Sequence, residues 1–442
     1  MTLPLAAKAA IWQLLHRITR CAALTAVAAW LVADACPCAA QAAARTARTG
    51  EVRVYGNEEV KTYVIRREIR LRTGEAYDPS EVQRARRRIE KIPGVDFSDI
   101  RVGYTPLDSS LSLTVIVTER STFEGFPLIR RGLEDKFSFG LRVADSNFRG
   151  CSERISAFAL FRGNTAFGLA WENPWLGQGP RIGLGIRGGY RQYEYVYDDL
   201  GEALDGAEIR RASGEASVFY TFDSGLRPYL AAGYEQVESD EPGATVIPDR
   251  DRFATLSLGL QYDGRSSRIF PWSGWYFDAA ATEIGPGDDR FSIFDGLADL
   301  RTYLPILDRL VFAVQGRGRL RDGDTIPSYL RQHLGGGLTI RGYDFGSFHG
   351  VNSVVTGAEL RVPVNFARQR TVEDLLVAVS VHLFADAGAA WERDQELVGE
   401  LWHSGYGLGL QIMNAQVEGL RVDYGWHQGS NGRWHVEIGA RF

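Results

Sequence analysis

The chain has 442 residues, including 49 glycines and 16 prolines, and its formal net charge at pH 7 is −5. This length allows two or three domains. The negative charge and the lack of a basic patch with interleaved aromatic residues argue against a nucleic-acid partner. After residue 120, no segment contains the roughly 18 apolar residues of a membrane-spanning helix.

The N-terminal segment has the pattern of an export signal. Basic residues precede an apolar stretch over residues 21–33, and the Ala-Gln-Ala triplet at 40–42 fits a small-residue cleavage site. We therefore predict a signal peptide over residues 1–42. Its removal would leave Cys151 as the one cysteine of the mature chain, which could then form no internal disulfide.

Residues 50–120 have the pattern of a small α/β domain. A short strand near Val52 is followed by apolar residues at helical spacing, and Asp78-Pro79 is a typical N-cap and first position of a second helix. Two more strands are predicted around 97–104 and 111–118, which gives the order β-α-α-β-β.

This order resembles that of a POTRA domain, the polypeptide-transport-associated module. The residues that carry the resemblance are Val54-Tyr55-Gly56-Asn57, Gly74-Glu75-Ala76-Tyr77 and Pro93-Gly94-Val95. The resemblance implies a periplasmic module whose open sheet edge pairs with an extended client polypeptide. A compact spacer that binds nothing is the alternative reading of the same pattern.

Residues 121–442 alternate between apolar and polar or small side chains. Tyr406, Leu408 and Leu410, for example, alternate with Gly407 and Gly409. Successive side chains of a strand point to opposite faces, and about 9–11 residues of a tilted strand cross a bilayer. We count about sixteen such segments and predict a transmembrane antiparallel β-barrel of about 16 strands, preceded by the one small periplasmic domain.

The last strand and the tryptophans fit this prediction. On the last strand Trp434, Val436, Ile438 and Phe442 share a lipid-facing side, while Gly439 lies on the other side and would ease local fraying. Tryptophans at strand ends are typical of the aromatic girdles of barrels. We expect this position for Trp171, Trp175, Trp272, Trp275, Trp391, Trp402, Trp426 and Trp434.

A long connection, residues 321–351, contains the most specific motif of the chain, Leu-Gly-Gly-Gly-Leu-Thr-Ile-Arg-Gly-Tyr at 334–343. It resembles the signature loop of the BamA/TamA superfamily of outer-membrane assembly and transport barrels. Further motifs match in order, namely Gly357-Ala358-Glu359, Phe384-Ala385-Asp386-Ala387-Gly388, Gly405-Tyr406-Gly407-Leu408-Gly409, Asp423-Tyr424-Gly425 and the final Phe442. The resemblance implies that the tip, Ile340, Arg341, Gly342 and Tyr343, folds back into the barrel lumen.

Strand parity predicts what this tip would contact. If the apolar residues of the strands near 354–364 and 377–387 face lipid, Glu359 and Asp386 face the lumen. A guanidinium can bind carboxylates through its planar fork. We therefore expect Arg341 to bridge Glu359 and Asp386, with a tight turn at Gly342 and Tyr343 packed below the tip.

The resemblance implies a non-enzymatic machine that inserts, assembles or translocates other polypeptides at the bacterial outer membrane. Clients would enter through a weak seam between the first strand, either 123–130 or 136–144, and the last strand, 434–442. The expected partners are outer-membrane lipid, unfolded client polypeptides and periplasmic or lipoprotein partners, with no cofactor or metal. The chain has room for one POTRA module, and this leaves the identity of the client and of these partners undecided.

Two other functions remain alternatives. A passive outer-membrane pore would have the same barrel but no need for the lumenal loop. An outer-membrane hydrolase would need a nucleophile, a base and an orienting group close together. His382 is the histidine that parity places in the lumen near acids, and no pair of residues has convincing metal-ligand spacing.

Overall fold

The computed structural model describes residues 48–438, apart from several loop segments. The residues left out within that range are 106–109, 132–136, 178, 180, 194–195, 198–202, 205–207, 242–243, 268, 288–291, 367–376 and 414–418. The predicted signal peptide therefore lies outside the described residues, as do Gly439, Phe442 and the side chain of Ile438.

The N-terminal module has the predicted order β-α-α-β-β. Its elements are β1 (Arg48–Tyr55), α1 (Thr62–Arg66), α2 (Pro79–Ile89), β2 (Val95–Thr105) and β3 (Ser110–Glu119), and its sheet has the order β1-β3-β2. Leu71, Val82 and Leu113 form a buried apolar cluster of this module.

The predicted N-cap of α2 is present. Oδ1 of Asp78 accepts hydrogen bonds from the backbone N–H and the hydroxyl of Ser80, at 2.9 and 2.7 Å. The Ser80 hydroxyl contributes most to lowering the pKa of Asp78 below its usual value. The helix therefore begins where the Asp-Pro pair predicts.

The remainder of the chain forms an antiparallel sheet that has sixteen strands within the described residues. Its strands are β4 (Phe123–Arg131), β5 (Phe137–Phe148), β6 (Glu153–Phe161), β7 (Thr165–Asn173), β8 (Ile182–Tyr193), β11 (Ile209–Tyr220), β12 (Leu226–Ser239), β13 (Arg250–Asp263), β14 (Gly274–Ile284), β15 (Ile293–Leu307), β16 (Leu310–Gly323), β19 (Asn352–Pro363), β20 (Ala378–Trp391), β21 (His403–Met413), β22 (Leu420–Trp426) and β23 (Arg433–Ile438). Two short pairs lie in connections: β9 (Val196–Tyr197) with β10 (Ala203–Leu204), and β17 (Gln332–Leu334) with β18 (Phe348–Gly350). Among the described residues, no helix is both long enough and apolar enough to cross a membrane.

The sheet closes into a barrel. Its hydrogen-bonded order runs from β23 to β4 in sequence order, and these two end strands lie next to each other. β4 is thus the strand that faces β23 across the seam, and β5 is the second strand. Of the two segments predicted for the opening side, the first is therefore the one that borders β23.

Side chains alternate between the two faces of the barrel wall, as predicted. On β20, Ser380, His382 and Asp386 are buried, whereas Val381 and Leu383 between them are exposed. On β23, Trp434 and Val436 are exposed, at 63% and 41%. Because large apolar residues cover the outer face, that face is suited to lipid.

The aromatic girdle was predicted wrongly for one residue. Trp275, Trp402 and Trp434 are exposed, but Trp272 is buried in an inward-folded turn between β13 and β14. It packs edge-on against Phe270, with ring centroids 5.1 Å apart, and both lie in one apolar cluster with Val311 and Ala313. A turn that folds into the lumen reverses the environment that strand-end position alone predicts.

Candidate functional site: the lumenal loop and its charged cluster

The site is built around the connection between β16 and β19. After a 3₁₀ turn at Ser328–Leu330, β17 and β18 pair as the stem of a hairpin whose tip is residues 335–347. We call residues 324–351 the lumenal loop. Gly335, Gly336 and Gly342 in the tip have positive φ angles, which favour glycine. The Thr339 hydroxyl closes the turn by hydrogen bonding to the Gly335 backbone.

The two residues before the turn at Gly342 are completely buried. Ile340 lies in an apolar cluster with Leu334 and Ala390. Arg341 is 0% exposed and is the largest fully buried side chain of the described residues. A guanidinium in such a position requires charged partners, because an isolated buried charge is very costly.

Arg341 has partners on three strands of the barrel wall. Its Nε and Nη2 donate to the two oxygens of Asp386, at 2.8 and 3.0 Å, and its backbone N–H donates to the same carboxylate at 3.1 Å. Its Nη1 donates to Glu359 and to Asp423, both at 2.9 Å. Parity and the motif had pointed to Glu359 and Asp386, and the structure brings both to Arg341. The ring of Phe384 adds a cation–π contact, 3.4 Å from Cζ to the ring centroid.

Four further residues contact this network, and the sequence did not predict these contacts. Glu359 also accepts hydrogen bonds from Arg421 at 2.7 Å and from Arg361 at 2.8 Å. Asp423 lies 2.8 Å from Nε2 of His382, and Nε2 is also 2.8 Å from Nη2 of Arg421. Their signal in the sequence was their lumen parity on β19, β20 and β22. Parity alone does not say which of many lumenal charges meet the loop.

The cluster is balanced in formal charge. Three guanidinium groups (Arg341, Arg361, Arg421) face three carboxylates (Glu359, Asp386, Asp423), and all six side chains are at most 4% exposed. Charge-assisted hydrogen bonds with short distances connect every member. We refer to these six residues as the charged cluster. It can hold the loop tip in place, because Arg341 belongs to the loop and its three carboxylate partners belong to the barrel wall.

An aromatic layer accompanies the charged cluster. Tyr343 stacks on His427, with centroids 4.0 Å apart and planes 11° apart, and Phe348 stacks on His403 at 3.5 Å. Tyr343 and Phe348 meet edge-on at 4.9 Å. The layer joins the lumenal loop to the start of β21 and to the β22–β23 connection.

Glycines make room for the tip on the facing strands. A Cβ on Gly405 would lie 1.8 Å from the carbonyl oxygen of Arg341, and one on Gly425 would lie 2.6 Å from the backbone nitrogen of Gly342. Gly405 is therefore required for close approach of the loop backbone.

The loop does not fill the lumen. A cavity of about 870 Å³ lies between Tyr329 and Phe345 of the loop and the wall formed by β4–β8 and β11–β13. Its lining includes the ion pair of Arg187 with Glu215, whose Nη2 and Oε2 atoms are 2.8 Å apart. The charged cluster and the remaining open space therefore occupy opposite sides of the lumen.

The geometry gives no support to a hydrolase site at His382. Its Nε2 is engaged by Asp423 and Arg421, and its Nδ1 has no hydrogen-bond partner in the part of the chain that the structure describes. The Ser380 hydroxyl, on the same face of β20, likewise has no partner there, so it is not activated by His382. Among the described residues, no group of three or more His, Cys, Asp or Glu side chains could hold a metal ion.

Comparison with known proteins gives two family matches. Residues 147–442 match the Omp85 superfamily domain, and residues 47–120 match the POTRA family described as surface antigen variable number repeat.

Individual relatives are more distant. The chain is 26% identical over 308 residues to the outer membrane protein assembly factor BamA of Nitratidesulfovibrio vulgaris, covering 66% of this chain and 37% of that protein. It is 23% identical over 386 residues to the protein of the same name from Neisseria meningitidis serogroup B, covering 77% and 46%. The chain thus spans less than half the length of these curated relatives. The crystal structure of BamA from Haemophilus ducreyi lacking POTRA domains 1–3 has a TM-score of 0.60 at 18% identity, with 89% of this chain and 83% of that chain covered.

Proposed function

The chain belongs to the Omp85 superfamily, and on that premise we propose that it inserts, assembles or translocates other polypeptides at the bacterial outer membrane. The barrel lies in that membrane and the N-terminal module in the periplasm. The proposed activity is not enzymatic. Strand pairing and conformational change of the barrel act on unfolded client polypeptides.

The observation that carries the proposal is the buried guanidinium of Arg341. A pore that only passes solutes needs no loop anchored to its wall by carboxylates of β19, β20 and β22. Burying ion pairs gives little net stability compared with apolar packing, but removing one partner is costly. Such an arrangement favours one defined position of the loop. This suits a barrel whose lumen changes conformation while it acts on a client.

Client capture is proposed at two strand edges. In the N-terminal module, β2 is an end strand of the sheet and exposes Phe97, Val102 and Tyr104. In the barrel, β4 and β23 are the end strands of the sheet. An end strand can add an extended polypeptide through backbone hydrogen bonds without reading its sequence. Periplasmic or lipoprotein partners would deliver clients to these edges.

The test is depletion of the protein in its own host, followed by measurement of outer-membrane protein levels, with complementation by variants. Wild type should restore these levels and Arg341→Ala should not. Arg187→Ala is a matched control, because it also removes a lumenal arginine of an ion pair but lies on the opposite wall. Unchanged outer-membrane protein levels after depletion would refute the proposal.

A passive pore is the second candidate, and the 870 Å³ cavity favours it. The two functions differ in reconstituted bilayers. A pore would conduct ions steadily in the wild type while leaving the membrane insertion of other proteins unaffected. The proposed function requires accelerated folding of an added client barrel into liposomes that contain the protein.

A further inference from the structure

The tip of the lumenal loop contacts the last strand of the barrel as well as the charged cluster. The backbone N–H of Gly342 donates to Nε2 of His435 at 3.0 Å. Arg433 forms an ion pair with Asp344 of the tip. Glu437 lies against Gly337, where an added Cβ would be 2.8 Å from its Cγ.

These three residues of β23 form one surface. Arg433, His435 and Glu437 occupy alternate positions, opposite to the lipid-exposed Trp434 and Val436. They therefore share the lumenal face of the strand. The loop covers this face along most of the described length of β23.

β23 is the strand for which such contacts matter most. It is an end strand of the sheet, and its ladder with β22 runs from the Arg433–Gly425 pair to the Ile438–Leu420 pair. Within the described residues β23 has a ladder with β22 alone, whereas a strand in the middle of the sheet has a ladder on both sides. A strand that is paired on one side opens more easily than the strands in the middle of a sheet, so contacts on its lumenal face contribute a large share of its stability.

Two consecutive backbone N–H groups of the tip bind the two sides. Arg341 donates to Asp386 on β20, and Gly342 donates to His435 on β23. Because Nε2 of His435 accepts this bond, the imidazole is neutral and carries its proton on Nδ1. Two successive peptide units thus join the charged cluster to the last strand, and the tip cannot leave one without disturbing the other.

We propose that the lumenal loop is a clamp on the seam, in which Arg433, His435 and Glu437 act as positioning residues that keep β23 closed. The proposal rests on the proposed function and specifies its regulation. The edge of β23 becomes available to an extended client strand only after the tip has withdrawn. Arg341 acts on the seam at a distance, through the peptide unit it shares with Gly342.

The test is hydrogen–deuterium exchange of the full chain in lipid nanodiscs, read at the backbone amides of β23 and, as an internal reference, of β14. His435→Leu should accelerate exchange in β23 about fivefold, as expected for loss of one hydrogen bond. His435→Gln retains an acceptor at a similar reach and should stay close to wild type. Arg433→Asp should accelerate exchange, and the charge swap Arg433→Asp with Asp344→Arg should restore it.

The variant Arg341→Ala distinguishes a clamp on β23 from a purely local contact between the tip and that strand. The clamp requires that this variant also accelerate exchange in β23, although none of the Arg341 contacts described above reaches that strand. Faster exchange in the loop with unchanged exchange in β23 would overturn the proposal. A structural defect of the whole barrel would also accelerate exchange in β14, and that result would count against the clamp.

The clamp and the proposed function can fail separately. Exchange is measured without any client, so the coupling of loop and strand is tested even if client assembly is not the function. A second variant, Asp344→Cys with Arg433→Cys in a Cys151→Ser background, tests the regulation. When oxidised it should slow client folding at least fivefold relative to the reduced protein, and equal rates in both states would refute the regulatory role.

Discussion

The strongest quantitative prediction concerns the pair of Arg341 and Asp386. Arg341→Ala removes four side-chain hydrogen bonds and leaves three buried carboxylates with two guanidinium groups. Asp386→Ala leaves the opposite imbalance. Each single variant should destabilise the inserted loop by about 3–5 kcal/mol, the usual cost of removing one partner of a buried ion pair.

The double variant should cost much less than the sum of the two. It restores the balance of charge, with Arg361 and Arg421 facing Glu359 and Asp423. We expect a coupling energy of about 2–3 kcal/mol, the upper part of the range for directly contacting residues. The remaining cost is the cavity and the lost contact of the guanidinium with Phe384.

The measurement uses an environment-sensitive fluorophore on Ser347→Cys, an exposed position of the tip, in a Cys151→Ser background. Urea titration of the folded barrel reports release of the loop, and the midpoints of the four proteins form a double-mutant cycle. Arg317→Ala is the control, since Arg317 pairs with Asp299 but is 48% exposed and should contribute below about 1 kcal/mol. Additive effects of the two single variants would refute the direct, buried pairing on which the site is built.

Three further predictions follow from the same structure. Gly405→Val should expel the tip as strongly as Arg341→Ala, because its Cβ would lie 1.8 Å from the Arg341 carbonyl oxygen, whereas Gly214→Ala, with no atom within 4 Å, should leave the probe signal unchanged. Burial, followed by the charges of His349 and Arg331, lowers the pKa of His333 from 6.5 to about 4. Because the released loop binds the proton more tightly than the inserted loop, loop insertion is most stable above pH 6.5 and weakens as the pH falls towards 4. His333→Gln should flatten this pH dependence of the fluorescence signal. Trp272→Ala should destabilise the barrel by about 3–5 kcal/mol and Trp275→Ala by less, measured as the temperature at which the folded form is lost on gels, because Trp272 is 5% exposed and Trp275 is 45% exposed.

The sequence predicted the barrel well because a strand reveals its faces locally. The period of two in β20 identifies Asp386 as lumenal without any knowledge of its neighbours. The number of strands follows from the number of such segments, and the hydrophobic pattern is sufficient for both. The same rule applies to Asp423 and Arg421, yet it did not place them beside Arg341.

What the sequence lacks is the position of each lumenal residue along the barrel axis relative to the loop. That position depends on the stagger of neighbouring strands, such as the pairing of Asp386 with Gly405 and of Gly409 with Asp423. The stagger accumulates around a barrel and is a property of the closed sheet, not of a single strand. Trp272 was misplaced for a related reason, since nothing local shows that its turn folds inward.

The composition of the charged cluster explains how the loop can be both well defined and releasable. Six ionised groups are taken out of water, and their mutual attraction mainly offsets that desolvation, so the net stabilisation is far smaller than the number of short hydrogen bonds suggests. Water that reaches these groups as the tip withdraws would solvate them and reduce the cost of separating them. An apolar anchor of equal size would hold the loop without a comparable route to release, because hydration does not compensate the loss of apolar contacts. Charged residues on the lumenal face of the wall therefore favour one inserted position of the tip while keeping its withdrawal accessible.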